Sequence, residues 1–348
     1  MNNLVKNPDR AFDYARLYAA SVAAILAWGF RAADLDSFFY KDFYNFVDQF
    51  LEAIEPGANP PVEVVPALWY LPGSWKKRAN HVRDMMDSTW SKARKMVDDR
   101  RASGDIRDSI IDMKIAEYDK SGWDMSQHAF NNLFGELLEA GADTTANMIL
   151  TIILAITKFP EVQAKARKEL DAVCGTERTP LFSDFQRLPY INCIIKEALR
   201  WRPTSDLGIP HRVARDDWYN GMYFPKDCTV WLAAWAIHHN DDIYPDHERF
   251  NPDRFLNHDK LANEYAAVEA NIFPGYIITD TAPVEECVPG STSQREAYHP
   301  LDVNAYTSSN LVRPLEFQVK VTPRSEQHQE VIERELIGAL GFLDQYRQ

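Results

Sequence analysis

The sequence predicts a mainly α-helical protein with small β-sheets, and three observations support this fold class. Over residues 11–201, apolar side chains recur every three or four positions, which is typical of amphipathic helices. Pro and Gly cluster where these patterns stop, as expected at helix ends. Short runs of aromatic and β-branched residues, which favour strands, begin after Pro210. The predicted helices are 11–28, 35–54, 73–102, 107–119, 126–159, 160–173 and 188–201.

Strand patterns are confined to the last part of the chain. Residues 219–225 and 229–232 have the pattern of two short strands joined by a turn, and a further strand pattern covers 315–321. Between them, residues 256–300 have little periodicity and are rich in Pro, Gly, Thr and Ser. We therefore predict neither a helix nor a strand in that segment.

The charge and the cysteines exclude several classes of protein. The chain has 51 acidic and 38 basic residues and a net charge of -13, which argues against nucleic acid or an anionic lipid surface as the main partner. Its four cysteines are far apart and form no C-x-x-C pattern, so neither a disulfide framework nor a structural zinc site is indicated. They are Cys174, Cys193, Cys228 and Cys287.

A polar hexapeptide, Ala-Gly-Ala-Asp-Thr-Thr, occupies residues 140–145 within the predicted helix 126–159. A Thr hydroxyl in a helix can bond a carbonyl one turn back and distort the helix. Taken alone, the hexapeptide fits equally an ordinary helix whose polar residues face solvent.

Two further motifs concern a possible ion pair. Glu197 and Arg200 lie three residues apart on one face of the predicted helix 188–201, where they can form a bidentate pair. Alone, this pattern also describes any surface salt bridge. The sequence Asn-Pro-Asp-Arg-Phe at 251–255 adds a second arginine, Arg254, downstream.

These three motifs, in this order and approximate spacing, resemble the cytochrome P450 family of haem-thiolate monooxygenases. Between them, the segments 207–212, 224–227 and 236–240 also resemble their counterparts in fungal members. The likeness is nearest to fungal oxidases of secondary metabolism, of the kind that oxidise methylsterigmatocystin. It implies a single, incomplete cytochrome P450 domain over 1–348, with 301–325 matching the terminal strands of that group.

The resemblance also implies roles for particular residues around a haem (iron protoporphyrin IX) cofactor. Asp143 and Thr144 would be catalytic, with Thr144 donating a proton to iron-bound oxygen and Asp143 relaying it. Gly141 would let the helix open where dioxygen binds on the distal face. The implied proximal triad is Glu197, Arg200 and Arg254, and His211 would point toward a haem propionate. The implied substrate contacts are Leu207 and Ile209, together with Ser309 and Leu311 from a substrate-facing turn at 307–312.

The chain departs from the family at the loop that should supply the axial thiolate. The family motif Phe-x-x-Gly-x-Arg-x-Cys-x-Gly is expected after Phe255, but the written sequence does not contain it. The cysteine in this window is Cys287, directly preceded by Glu285 and Glu286. Nearby carboxylates raise the pKa of a thiol and repel haem propionates, so Cys287 is a poor candidate for the metal ligand.

A shifted reading frame would account for this departure. When the last base of each codon is joined to the first two bases of the next, the junctions from Ile278 to Gly290 permit Tyr-Gly-Tyr-Gly-Ala-Gly-Arg-Arg-Met-Cys-Pro-Gly. The junctions that follow, up to Tyr298, permit Ile-His-Leu-Ala-Glu-Arg-Ser-Ile, which resembles the start of the helix after the haem cysteine. Our hypothesis is that the frame slips between Phe255 and Ile278 and is restored near His299.

The function implied by the resemblance is insertion of one oxygen atom from dioxygen into an apolar, polyketide- or terpenoid-like molecule. The implied electron donor is NADPH–cytochrome P450 reductase, and the implied location is the endoplasmic reticulum membrane. The longest uncharged apolar run, 18–28, is about half of the roughly 20 residues that a membrane-spanning helix needs, so we expect no membrane anchor in this sequence. A cytoplasmic location is therefore the alternative. The chain also begins near what resembles the fourth or fifth helix of the family.

Two alternatives remain open from the sequence. One is a catalytically inactive, haem-free remnant of the same fold, which is the state we expect of the chain in its written frame. The other is an acidic, mainly helical interaction protein without a cofactor. A thiolate-haem absorption band would support the monooxygenase, and partner binding at full stability without haem would favour the interaction protein.

Overall fold

The structure is a computed structural model, and it divides the chain into two compact units. One unit comprises Met1–Leu150 with Val319–Gln348, and the other comprises Thr151–Gln318. The expectation of a single partial domain stays a prediction. The structure describes residues 2–55, 57–62, 64–258, 276–278, 302–307, 311–317, 319, 321 and 323–347.

The described residues of the first unit form helices that turns and loops connect. The predicted helices of this part are confirmed, with ends that agree to within three residues. Its helices are α1 Asn2–Lys6, α2 Ala11–Trp28, α3 Phe38–Ala53, α4 Ser74–Ala102, α5 Ile110–Ser121, the first part of α6 Gln127–Lys158, and α10 Glu326–Leu343, with short 3-10 turns at Pro8–Arg10, Pro66–Tyr70 and Asp344–Tyr346.

Aromatic side chains join α2, α4 and α6 in the core of this unit. The Trp28 ring stacks on Trp90 with centroids 6.1 Å apart and meets the edge of Phe134 at 5.9 Å. The buried Trp28 indole N–H donates to the carbonyl of Phe134 at 3.1 Å, so this large ring is buried with its polar atom satisfied. A Cβ at Gly135 would lie 2.3 Å from Trp90, so the indole packs directly on the helix backbone there.

The second unit combines helices with two small antiparallel sheets. The first sheet has the strand order β1-β4-β5 and the second is the hairpin β2-β3. The helices are the rest of α6, α7 Pro160–Cys174, α8 Pro189–Trp201 and α9 Ala234–His238, with 3-10 turns at Phe182–Arg187 and Pro252–Phe255; the strands are β1 His211–Arg212, β2 Asp217–Tyr219, β3 Met222–Phe224, β4 Thr229–Leu232 and β5 Tyr276–Ile278.

The strands correct the sequence prediction in three places. The predicted strand 219–225 is confirmed at Tyr219 and at 222–224 but is wrong as one continuous strand, because Asn220 and Gly221 both have positive φ (47° and 79°) and turn the chain into a hairpin. The described residues of 315–321 form no strand; the pairing there is an isolated bridge between Tyr306 and Pro314. Conversely, β5 lies within 256–300, where no element was predicted, and pairs with β4.

Helix α6 is also the described helix that is long and apolar enough to cross a bilayer by length and composition. In the structure, 44% of its most apolar 18-residue window is buried. Core helices of soluble proteins meet the same criterion, so this is weak support for a membrane span.

Candidate functional site

The polar hexapeptide lies in the middle of α6, and its two predicted catalytic residues have different surroundings. Asp143 is 2% exposed, and one carboxylate oxygen accepts from the Asn147 side chain at 3.1 Å. Burial raises the pKa of Asp143, against the opposing effect of the Arg16 guanidinium. Thr144 is half-buried, and its hydroxyl donates to the carbonyl of Ala140 one turn back at 2.6 Å.

The helix is nevertheless continuous through this point. Residues 127–158 are α-helical without a break, so the Thr144 hydrogen bond does not open the helix in this structure. Gly141 is exposed, and a Cβ on it would lie 3.3 Å from the Cβ of Ala23. The small size of Gly141 therefore serves close packing against α2, and its predicted role beside dioxygen stays a prediction.

The ion-pair network is centred on Glu197, which α8 holds with no exposed surface. Arg200 lies on the same face one turn later and donates through Nε and Nη2 to the two carboxylate oxygens, at 2.7 and 2.8 Å. The backbone N–H of Asn251 donates to Glu197 Oε1 at 2.8 Å. Arg254 Nε lies 3.6 Å from that oxygen, which is an ion pair without a hydrogen bond. The structure thus brings the three predicted members of the triad together, with unequal contacts.

The two arginines of this network also hold residues 238–247, through hydrogen bonds to backbone carbonyls of that segment. Arg200 donates to the carbonyls of His238 and His247 at 2.8 and 2.9 Å. Arg254 donates to the carbonyls of Pro245 and Asp246 at 2.5 and 2.6 Å. Sequence patterns missed these partners, because a backbone carbonyl leaves no residue signature. The network therefore works as a clamp that holds the chain from α9 to the Pro252–Phe255 turn on α8.

The residues predicted to face haem or substrate are mostly at the surface of the described structure. His211 is exposed on β1, where its backbone pairs with Val230, and it is not part of the Glu197 clamp. Leu207 and Ile209 are 50% and 77% exposed, and Leu311 is half-buried. Ser309 and Cys287 lie outside the described residues, and their assignments stay predictions.

A cavity of about 280 Å³ lies beside the predicted substrate-facing segments. Its lining includes Arg202, Asp206, Trp235 and Tyr306. The side chain of Arg202, 6% exposed as a residue, donates to Asn304 Oδ1 at 2.8 Å. A backbone hydrogen bond of 2.9 Å from Val312 to Thr204 joins the two segments that carry Leu311 and Leu207. No sequence pattern indicated this cavity, since its residues come from four separate segments.

The chain belongs to the cytochrome P450 family: the family model matches residues 6–268. It is 38% identical over 272 residues to cytochrome P450 monooxygenase atE of Aspergillus terreus, covering 77% of this chain and 50% of that protein. It is 44% identical over 258 residues to cytochrome P450 monooxygenase acuD of Aspergillus aculeatus, covering 73% and 48%. The match to cytochrome P450 monooxygenase macC of Penicillium terrestre is 32% over 372 residues, covering 97% and 69%.

The chain thus spans about half the length of the first two of these relatives. The matches confirm the family, the mainly helical fold class and the likeness to fungal enzymes. Haem iron is the cofactor of this family.

The cysteines of this chain do not fit an iron–thiolate site in the written frame. Among the described residues, Cys174 and Cys193 are buried and Cys228 is half-buried. Burial raises the pKa of the Cys193 thiol, which disfavours the thiolate form. Cys287, outside the described residues, directly follows two glutamates in sequence. The cysteines of the written sequence therefore do not supply the thiolate ligand that the family's haem requires.

Proposed function

We propose that the product of this gene is a haem-thiolate monooxygenase of fungal secondary metabolism that oxidises an apolar, polyketide- or terpenoid-like molecule. The observation that carries the proposal is the clamp on Glu197, because a buried, bidentate Glu–Arg pair closed by a downstream Asn-Pro-Asp-Arg-Phe turn is the family's proximal frame. The fungal relatives are named as cytochrome P450 monooxygenases, which supports the same reaction class.

Haem, when bound, supplies the activation of dioxygen. The clamp holds the segment that leads toward the thiolate loop, so that its position does not depend on the cofactor. Asp143 and Thr144 are the proposed proton carriers, supported by the buried carboxyl group of Asp143 and the polar neighbour Asn147. Leu207, Ile209, Ser309 and Leu311 are the proposed substrate contacts.

The proposed electron donor is NADPH–cytochrome P450 reductase, and the proposed location is the membrane of the endoplasmic reticulum. Both follow from the family alone. A fluorescent fusion of the gene product that distributes through the cytosol instead of along that membrane would contradict the location.

The thiolate ligand in this proposal comes from the shifted frame across 278–290. Trypsin digestion of the protein made from the intact gene distinguishes the frames, since the shifted frame yields the peptide Met-Cys-Pro-Gly-Ile-His-Leu-Ala-Glu-Arg, or its Val form. The written frame instead yields peptide 296–320, because trypsin does not cleave between Arg313 and Pro314. Peptide 227–249 is common to both frames and serves as the internal control. Peptide 296–320 in a haem-loaded enzyme would contradict the proposal.

A haem-free, inactive remnant is the second candidate. The glutamates at 285 and 286 favour it, because they stand where the family has an arginine beside its cysteine. The same digestion tests this candidate: detection of peptide 296–320 without the shifted-frame peptide, from a purified protein without haem absorption, would support the remnant.

A further inference from the structure

Helix α8 begins without a cap of its own, and a side chain from another helix takes that place. Its N-cap residue, Leu188, makes no side-chain capping hydrogen bond, and Pro189 at the first helical position has no N–H. The next two backbone N–H groups, of Tyr190 and Ile191, donate to the two carboxylate oxygens of Glu169 at 2.8 and 3.0 Å. Glu169 is a half-buried residue of α7, and its negative charge at this end of α8 also interacts favourably with the helix dipole.

The same face of α7 also holds the 3-10 turn that ends the clamped segment. Lys165 precedes Glu169 by four residues, so the two side chains are neighbours on the surface of α7. The ammonium group of Lys165 donates to a carboxylate oxygen of Asp253 in that turn. The backbone N–H of Asp253 donates to the side chain of Asn251 at 3.3 Å, and the backbone N–H of Asn251 donates to Glu197 at 2.8 Å. Helix α7 therefore contacts both parts that meet in the clamp, α8 and the turn.

The place of Glu197 depends on where α8 begins. Tyr190 and Glu197 are seven residues apart, which is about two helical turns, so they lie on one face of α8. They are 7% and 0% exposed. A movement of α8 along or about its axis would carry Glu197 away from the Asn251 N–H, and a hydrogen bond of 2.8 Å is lost over a small displacement.

We propose that Glu169 is a positioning residue for the clamp, and that Lys165 acts with it. Glu169 fixes the start of α8 and Lys165 fixes the turn, so that the Glu197 carboxylate meets the Asn251 N–H. This role needs no cofactor, because all of these residues lie in one unit and contact one another directly or through α8. Its importance for oxidation rests on the proposed function, in which the turn leads toward the thiolate loop.

Hydrogen exchange of the purified full chain, read at single amides, tests this positioning without haem. In Glu169→Gln the amide side chain places its own N–H group against one of the two α8 donors, so the cap is lost. We expect the Asn251 N–H to exchange about 2–30-fold faster, which is the fold-change equivalent to the usual free-energy cost of losing a helix cap. The reference is the N–H of Val213, which donates to the carbonyl of Cys228 in the same unit and should change less.

Glu161→Gln is the matched control, because it removes the same charge from α7 at an exposed pair with Arg249. Exchange at Asn251 should be unchanged in this control. Lys165→Met is the second variant: Lys165 is exposed, so the chain should fold, and exchange at Asn251 should again be faster while the Val213 reference is unchanged.

Two results would overturn the proposal. Exchange at Asn251 that is unchanged in both variants would mean that the clamp does not depend on α7. Equal acceleration at Asn251 and Val213 would mean that these side chains contribute only to global stability. If Glu169→Gln does not fold, Lys165→Met decides by the same criteria. Failure of the proposed monooxygenase function would appear separately, as a missing thiolate-haem band, and would leave the exchange results unaffected.

Discussion

Replacing Arg200 by Met should destabilise the protein more than replacing Arg254 by Met, because the two guanidinium groups hold Glu197 differently. Arg200 makes both charged hydrogen bonds to the carboxylate and is 2% exposed. Its loss leaves Glu197, which has no exposed surface, with only the Asn251 N–H as a hydrogen-bond donor. Removing one partner of a buried ion pair costs about 3–5 kcal/mol.

Arg254 stabilises the Glu197 carboxylate less than Arg200 does. Its side chain is 15% exposed and lies 3.6 Å from Glu197, and its hydrogen bonds go to two backbone carbonyls. A hydrogen bond contributes about 0.5–1.5 kcal/mol net, so the loss of these two should cost about 1–3 kcal/mol. The Glu197–Arg200 pair would remain intact.

The comparison is made by equilibrium unfolding in urea, followed by tryptophan fluorescence. Trp201 is a suitable reporter, since its indole N–H donates to the backbone carbonyl of Glu248, between α9 and the Pro252–Phe255 turn. Arg249→Met is the control with the same loss of charge, because Arg249 pairs with Glu161 at the exposed surface and should cost less than about 1 kcal/mol. Equal losses for Arg200→Met and Arg254→Met, or a loss for Arg200→Met no larger than the control, would refute this account of the clamp.

Three further changes follow from the structure. Glu139→Gln should stabilise the protein increasingly as pH rises from about 4.5 to about 8, because burial raises the folded-state pKa of this acid and the wild-type protein loses stability as the acid ionises across that window. At pH 9 the gain should reach at most about 5 kcal/mol, measured by urea unfolding across pH. Gly135→Ala should lower the urea midpoint of unfolding despite the better helix propensity of Ala. The added Cβ would overlap the rigid Trp90 ring, and such overpacking costs about 1–3 kcal/mol. An unchanged or higher midpoint would mean that the Trp90 ring can move aside. Thr144→Ala in the haem-loaded enzyme should lower the amount of product formed per electron consumed and raise the amount of peroxide released, since general acid catalysis contributes about 10²–10⁴-fold to a rate. An unchanged ratio of product to electrons would contradict the proposed role of Thr144.

The predicted helices could be recognised because each of them buries one apolar face, so its apolar residues recur every three or four positions. Helix α10 was missed, since Gly338 and Gly341 within it lower its helix propensity and Ile337 and Phe342 remain exposed. The hairpin at 217–224 was misjudged because the Asn220-Gly221 turn was counted as part of a strand.

The Glu197–Arg200 pair was predictable from its spacing, because residues three apart share a helix face. The main contacts of Arg254 were not, since they go to the carbonyls of Pro245 and Asp246. Glu139 gave no signal either, because a glutamate in a long helix usually faces solvent. Its burial depends on how the helices of that unit pack, which local periodicity does not determine.

The most direct test of the central claim is the carbon monoxide difference spectrum of the reduced protein, expressed from its intact gene. We expect the absorption band of a thiolate-ligated haem, because in the proposed shifted frame a cysteine loop follows the Pro252–Phe255 turn that the clamp on Glu197 holds. A protein that is folded and pure but lacks this band would contradict the claim that the gene encodes a haem-thiolate monooxygenase.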